Sequence, residues 1–179
     1  SPRVRDARKA SLHALIRNLP TSSDLMTPVV LLGDARRLPV ESESVDLVLT
    51  SPPYINVINY HQQYRFSVES LGCDVLGPAR SEIGSNRKFR SNRFNTVTQY
   101  ILDMALVLSD LCRVIKRDGK AVFVVGRQSQ VRKTPFYNAD ILERMALALD
   151  IEVGSKQTRT FTNRYGQRIV EDILVLKLR

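Results

Sequence analysis

The chain has 179 residues, 43% of them apolar, which is enough for one domain with a full core. No apolar run approaches the length of a membrane span and no signal peptide is visible, so the expectation is a soluble, cytoplasmic protein. Cys73 and Cys112 lack metal-ligand spacing and read as reduced thiols, which leaves no expected metal and no disulfide scaffold. A net charge of +9 and a pI near 9.9 favour a polyanionic partner.

In chain order, Val4 to Leu19 places Ala7, Leu12, Leu15, Ile16 and Leu19 on one side of a helix, opposite most of its arginines, and Pro20 ends it. Pro28 to Leu32 is β-branched and aliphatic, and predicts a buried strand closed by Gly33-Asp34-Ala35. A polar connector, Arg36 to Ser44, leads to a second short buried strand over Asp46 to Leu49. That strand runs into Thr50-Ser51-Pro52-Pro53-Tyr54. Two prolines remove ladder donors and fix φ, and each holds its predecessor extended. The product is a stiff loop at a strand's carboxyl end, where open α/β sheets place ligands. It offers the Ser51 hydroxyl, backbone carbonyls and one aromatic face.

These groups suit a flat base with an exocyclic amine. The Ser51 oxygen and the Pro52 carbonyl can accept both amine hydrogens, and Tyr54 can stack on the ring for about 1–3 kcal/mol. Accepting both hydrogens favours a pyramidal nitrogen, whose freed lone pair can attack an electrophilic methyl group. Positioning and electrostatics carry such a reaction.

Further on, Tyr60 and Tyr64 lie one helical turn apart, and His61 between them reads as a surface residue. Gly77 to Thr96 predicts a flexible loop carrying Arg80, Arg87, Lys88, Arg90 and Arg93 against one acid, Glu82. It serves either phosphate contacts or simple solvation. Thr98 to Lys116 predicts a helix with Ile101, Met104, Ala105, Leu108, Leu111, Cys112 and Ile115 on one stripe. Asp118-Gly119 ends it, and Ala121 to Val125 is a third buried strand. Arg127 follows at that strand's carboxyl end, within reach of a substrate there. Ala139 to Leu149 is another amphipathic helix. Glu152 to Thr162 and Arg168 to Lys177 form a hairpin about Asn163-Arg164-Tyr165-Gly166. No acid lies between Val153 and Val170, which leaves Arg164 on a basic tip.

Thr50-Ser-Pro-Pro-Tyr54 resembles motif IV of the class I amino-group DNA methyltransferases, which modify cytosine N4 or adenine N6. The resemblance implies that Ser51, Pro52, Pro53 and Tyr54 form the catalytic loop around a flipped base, Ser in first place leaning toward cytosine. Gly33-Asp34-Ala35 is similar to that family's motif III, although Asp34 alone would also read as a turn cap. It implies that Asp34 and Ala35 meet the adenine of S-adenosylmethionine, beside Thr50 and Ser51. Tyr60 would line the base pocket. Arg87, Lys88, Arg90, Arg93, Arg127 and Arg164 would contact double-stranded DNA, in a prokaryotic cytoplasm near the nucleoid. RNA base methylation and a non-catalytic nucleic-acid-binding subunit are the alternatives.

The implied fold is α/β, a Rossmann-like class I methyltransferase sheet that is partial: strands three to seven, ending in an antiparallel hairpin. The Gly-rich loop that cradles the methionine part of the cofactor has no counterpart, since no G-x-G occurs in the chain. A second polypeptide or a further N-terminal segment is therefore expected to supply strands one and two.

Overall fold

The computed structural model describes residues 13–14, 17, 28–55, 59–85 and 91–178. The chain divides into two compact units, Ser1–Leu32 and Gly33–Arg179. In the first unit His13, Ala14 and Arg17 are helical, and Arg17 Nε donates to the His13 carbonyl at 3.3 Å. The rest of the expected Val4 to Leu19 helix lies outside the described residues. Pro28 to Leu32 departs from expectation. It makes no strand, and Val29, Val30, Leu31 and Leu32 are exposed. β-branched composition fits a pleat, but a strand also needs a ladder partner and a covered face, and among the described residues this segment has neither.

The second unit is built on β1 (Val45–Thr50), β2 (Ile115–Gly126), β5 (Glu152–Thr162) and β6 (Arg168–Lys177), in the sheet order β1-β2-β6-β5. β1 and β2 are parallel, so a crossover must join them. It contains α1 (Tyr60–Gln63), α2 (Arg65–Ser70), α3 (Leu76–Ser81) and the long α4 (Phe94–Val114). A two-stranded hairpin, β3 (Gln128–Val131) and β4 (Thr134–Tyr137), then leads through α5 (Asn138–Ala148) to the antiparallel pair β5–β6. Arg132 and Lys133 turn β3 into β4 with positive φ at both, a two-residue turn whose twist matches the strands.

Cross-strand register separates the two faces of the sheet. Ala121, Phe123 and Val125 pair with Leu176, Leu174 and Asp172, and all six are buried. The apolar five belong to one core with Tyr100, Met104, Leu108 and Leu111 of α4 and Ala139, Leu142 and Met145 of α5. Burying each large side chain contributes about 1.5–3 kcal/mol. The expected stripe holds at Met104, Leu108, Leu111 and Ile115, with Ala105 half-buried; Val97, Tyr100 and Val107 join it inside, whereas Ile101 and Cys112 are exposed. The helix begins at Phe94, four residues earlier than expected, and Tyr100 rather than an aliphatic residue anchors its first turns.

The opposite face is open. Leu47 and Leu49 pair with Lys120 and Val122 and are 58% and 71% exposed. Val122, Val124, Ile173 and Val175 on that face are only half-buried. β1 is also an edge strand of the described sheet. Among the described residues nothing covers Leu47 and Leu49 on this flank.

The expected loop over 77–96 contains the end of α3 and the first turn of α4 in its described parts. Asp74 caps α3, its carboxylate accepting from the Leu76 and Gly77 amides at 2.8 and 3.0 Å. No described helix is long and apolar enough to cross a membrane. Among the described residues no group of three His, Cys, Asp or Glu could hold a metal.

The connector from Gly33 to Val40 is sewn to α4. Asp110 accepts the Leu38 amide at 2.7 Å, and Arg113 donates to the Leu38 and Val40 carbonyls at 3.0 and 2.8 Å. The Arg113 hydrogen bond, assisted by the Leu38 amide, holds the Asp110 carboxyl below its ordinary value of 3.8 despite burial. A depressed native pKa means that this stabilisation is whole above pH 3.8 and is lost as pH falls further. Asp110→Asn should therefore lower Tm at pH 7 and flatten the decline of Tm below about pH 4, by thermal melts across pH. An unchanged acid limb would contradict the assignment.

Candidate active site at the carboxyl edge of the sheet

Two prolines end β1 as the sequence implies, and they turn the chain so that Tyr54 meets the end of β2. Ser51 is exposed, Pro52 buried, and Pro53 and Tyr54 half-buried. A Cβ built on Gly126 would stand 3.2 Å from Tyr54 Cε2 and 3.4 Å from Cζ, so the ring lies directly against this glycine. A larger residue there would require the Tyr54 ring to shift by a few tenths of an ångström.

The seat is fixed from behind. Asn138, fully buried at the start of α5, donates through Nδ2 to the Gly126 carbonyl at 2.7 Å. Its Oδ1 accepts from buried Ser129 Oγ at 3.0 Å. From below, Gly84 approaches the Tyr54 carbonyl: a Cβ there would lie 2.9 Å from that oxygen and 3.4 Å from Tyr100 Cδ2. Gly84 has φ +75°, a region that L side chains rarely adopt. Burial pushes the Tyr100 phenol up, keeping it neutral beneath the loop.

Beyond the loop, Glu82 organises α1. One carboxylate oxygen accepts the Tyr60 amide and the other pairs with His61 Nδ1. Asn59, the N-cap residue, makes no side-chain cap, so an acid 22 positions away from Tyr60 supplies it. His61 is thus a paired and largely buried residue rather than the surface residue expected. Tyr60, His61, Tyr64, Val68 and Glu82 line a cavity of about 390 Å³ between α1–α2 and α3. Burial, followed by the nearby Tyr54, Tyr64 and Glu82, raises the Tyr60 pKa, so its hydroxyl remains a donor at neutral pH.

Asp34 stands in a turn closed by the Arg37 amide, which donates to its carbonyl at 2.9 Å. Its carboxylate is not idle. Arg36 grips it through Nε and Nη2 and reaches buried Asp103 with Nη1 at 2.8 Å. The Arg36 side chain, then its amide, holds the Asp34 pKa below 3.8. Asp34 and Ala35 are both exposed, and Thr50 is half-buried at the end of β1.

The basic residues divide. Arg127 is tied down, its amide donating to the Val170 carbonyl and Nη1 to Asp172 and Thr158 at 3.1 and 3.2 Å. Arg93 is exposed at the start of α4, and Arg164 is exposed on the hairpin tip. Arg87, Lys88 and Arg90 lie outside the described residues. Sequence reasoning misses the Glu82–His61 pair, the Ser129–Asn138 bracket and the Gly84 and Gly126 contacts. All join residues distant in the chain, and no local pattern marks them.

Gly84→Ala should cost more stability than Gly72→Ala. Both have positive φ, but nothing lies within 4 Å of a Cβ at Gly72. The shared backbone strain is about 1–2 kcal/mol, and only Gly84→Ala also displaces the Tyr54 carbonyl. Equal shifts in chemical denaturation would contradict the described packing.

No family model matches the sequence. The type II methyltransferase M.MjaII of Methanocaldococcus jannaschii is 25% identical over 128 residues, spanning 64% of this chain. The chain covers only 23% of that relative's length. Among solved structures, a protein of Thermus thermophilus assigned as a DNA modification methylase superposes with a TM-score of 0.54 at 18% identity. The match covers 82% of this chain and 52% of that one. The same protein in complex with S-adenosyl-L-methionine gives 0.54 at 20% identity, over 82% and 54% of the two chains. The PvuII DNA methyltransferase, cytosine-N4-specific, gives 0.52 at 15% identity, over 82% and 47%. The fold is therefore that of the α/β methyltransferases: a mixed sheet closed by an antiparallel C-terminal hairpin, spanning about half of the solved chains it matches.

Proposed function

We propose that this chain is the base-holding part of an S-adenosylmethionine-dependent DNA methyltransferase, acting on cytosine N4 in preference to adenine N6. The observation that carries the reading is the seat of Tyr54. A ring braced on Gly126, beside an exposed Ser51 at the carboxyl ends of two parallel strands, is a ready stacking platform.

In this reading a base leaves the duplex, at a cost of a few kcal/mol in unstacking, and stacks on Tyr54. The Ser51 oxygen and the Pro52 carbonyl accept the two hydrogens of its amine. The nitrogen lone pair is thereby left free to take up a methyl group: the C–N bond would form as the methyl–sulfur bond of a sulfonium donor breaks, sulfur keeping the electron pair as a neutral thioether, and one amine proton would leave to solvent. Tyr60 and the cavity behind it receive the far side of the base. Arg93 and Arg164, with the segment carrying Arg87, Lys88 and Arg90, meet the phosphates, while Arg127 stiffens the rim through Asp172.

The cofactor, which when bound supplies an electrophilic methyl group on a sulfonium, would meet this chain at its adenine end. Asp34 and Ala35 would hold its adenine, with Arg36 sharing the Asp34 carboxylate, and Thr50 and Ser51 would border the methyl group. Nothing in the chain provides the Gly-rich cradle. A second polypeptide, or another segment of the same protein, supplies that loop and pairs with the open edge of β1, covering Leu47 and Leu49. Exposed edges and apolar faces of this size are normally covered.

In the complete enzyme, Ser51→Ala and Tyr54→Ala should each cut methyl transfer to a cytosine-bearing duplex by about 100-fold or more. Duplex affinity should change by less than about threefold, because phosphate contacts carry most of it. Unchanged turnover in both variants would remove the catalytic assignment. Equal transfer to a duplex offering only adenine would remove the cytosine preference, and transfer to RNA alone would replace DNA as substrate.

A further inference from the structure

The β5–β6 hairpin outruns the rest of the sheet at the end that carries the candidate site. β2 stops at Gly126, which pairs with Glu171. The hairpin continues for three more rungs, Thr160↔Val170, Phe161↔Ile169 and Thr162↔Arg168. At about 3.4 Å per residue it stands roughly 10 Å beyond the edge before its turn begins. Tyr54 leans on that same Gly126, so finger and loop rise from one edge.

The tip is built, not loose. Asn163 Oδ1 accepts the Tyr165 and Gln167 amides at 2.9 and 3.0 Å, and its Nδ2 donates to Gln167 Oε1 at 2.9 Å. The Asn163 amide donates to the Gln167 carbonyl, and Gly166, at φ +77°, donates to the Asn163 carbonyl. This scaffold presents a single aromatic ring, Tyr165, 70% exposed. The Arg164 guanidinium lies 4.7 Å from that ring's centroid and donates to its hydroxyl at 2.5 Å. Arg159 over Phe161 at 5.5 Å repeats the arrangement lower down, with Arg159 neutralised by Glu171. Arg164 and Arg168 sit on a stretch with no acid between Val153 and Val170.

We propose that this hairpin tip is a stacking finger for an unpaired base of a nucleic-acid strand. Tyr165 takes the base on the ring face away from Arg164, and Arg164 and Arg168 hold the flanking phosphates. A protein partner would call for a contiguous apolar patch of several hundred Å², and the tip has one ring among cations. Every base has a face to stack, so such a finger is indifferent to sequence and sensitive to whether bases are unpaired. A methyltransferase that opens its duplex creates unpaired bases beside its site. The inference rests on the proposed function only for the class of partner, and the test needs no methyl transfer.

Fluorescence anisotropy would measure binding of a labelled single strand of about 16 nucleotides and of the matching blunt duplex, with folding checked by thermal melting. Tyr165→Ala should leave Tm unchanged and weaken single-strand binding about 5- to 100-fold, with a smaller effect on the duplex. Tyr165→Phe should retain binding within about threefold, because the ring remains. Arg164→Ala should lower the slope of log affinity against log salt by about one. Wild-type affinity in Tyr165→Ala would overturn the finger and leave the Ser51–Tyr54 reading standing. Failure of the wild-type protein to bind either oligonucleotide would overturn both.

Discussion

The contact between Tyr54 and Gly126 is the constraint from which the rest of this structure follows. Two prolines stop β1 and force the chain to turn, and the ring that follows needs a surface to rest on. The glycine at the end of β2 provides one, its missing side chain letting the ring lie close. Holding that glycine requires its carbonyl to be fixed, which Asn138 does from the first residue of α5. Holding the loop from below requires a second close approach, which Gly84 makes above Tyr100. The core of α4 and α5 therefore serves the site directly, because the helices bear the residues that brace one aromatic ring.

The same sheet is finished on one face and open on the other. α4 and α5 cover Ala121, Phe123, Leu174 and Leu176, while Leu47 and Leu49 face outward on an edge strand. An α/β sheet with one covered face leaves its parallel edge able to accept another strand. The proposed cofactor groups divide along that line. Asp34 and Ala35 are exposed in the turn that Arg36 braces, and no G-x-G occurs in the sequence.

Legibility in the sequence follows the range of the interactions. Hairpin β5–β6 is readable to the residue, since period-two patterning and the Asn-Arg-Tyr-Gly turn are local signals. The end of β1 at the Ser-Pro-Pro-Tyr loop is plain, because prolines act on their immediate neighbours, but β1 is not the buried strand expected, since Leu47 and Leu49 are exposed. Pro28 to Leu32 misleads, as apolar composition reports what a strand could bury and not whether a neighbour exists. The α4 stripe is legible at Met104, Leu108 and Leu111 and errs at its margins, where counting aliphatic residues admits exposed Ile101 and passes over Tyr100. His61 reads as a surface residue because its partner, Glu82, lies 21 positions on among basic residues. The β3–β4 hairpin is hidden since Arg132 and Lys133 adopt a turn that Asn-Gly usually announces.

The most direct test of this account is a calorimetric titration of S-adenosylmethionine into the chain alone, its monomeric mass verified first. An edge that holds only the adenine end of the cofactor predicts no detectable binding, with affinity appearing when the polypeptide that pairs with β1 is added. Micromolar binding by the isolated chain would mean that it forms a complete pocket by itself, and would contradict the divided site.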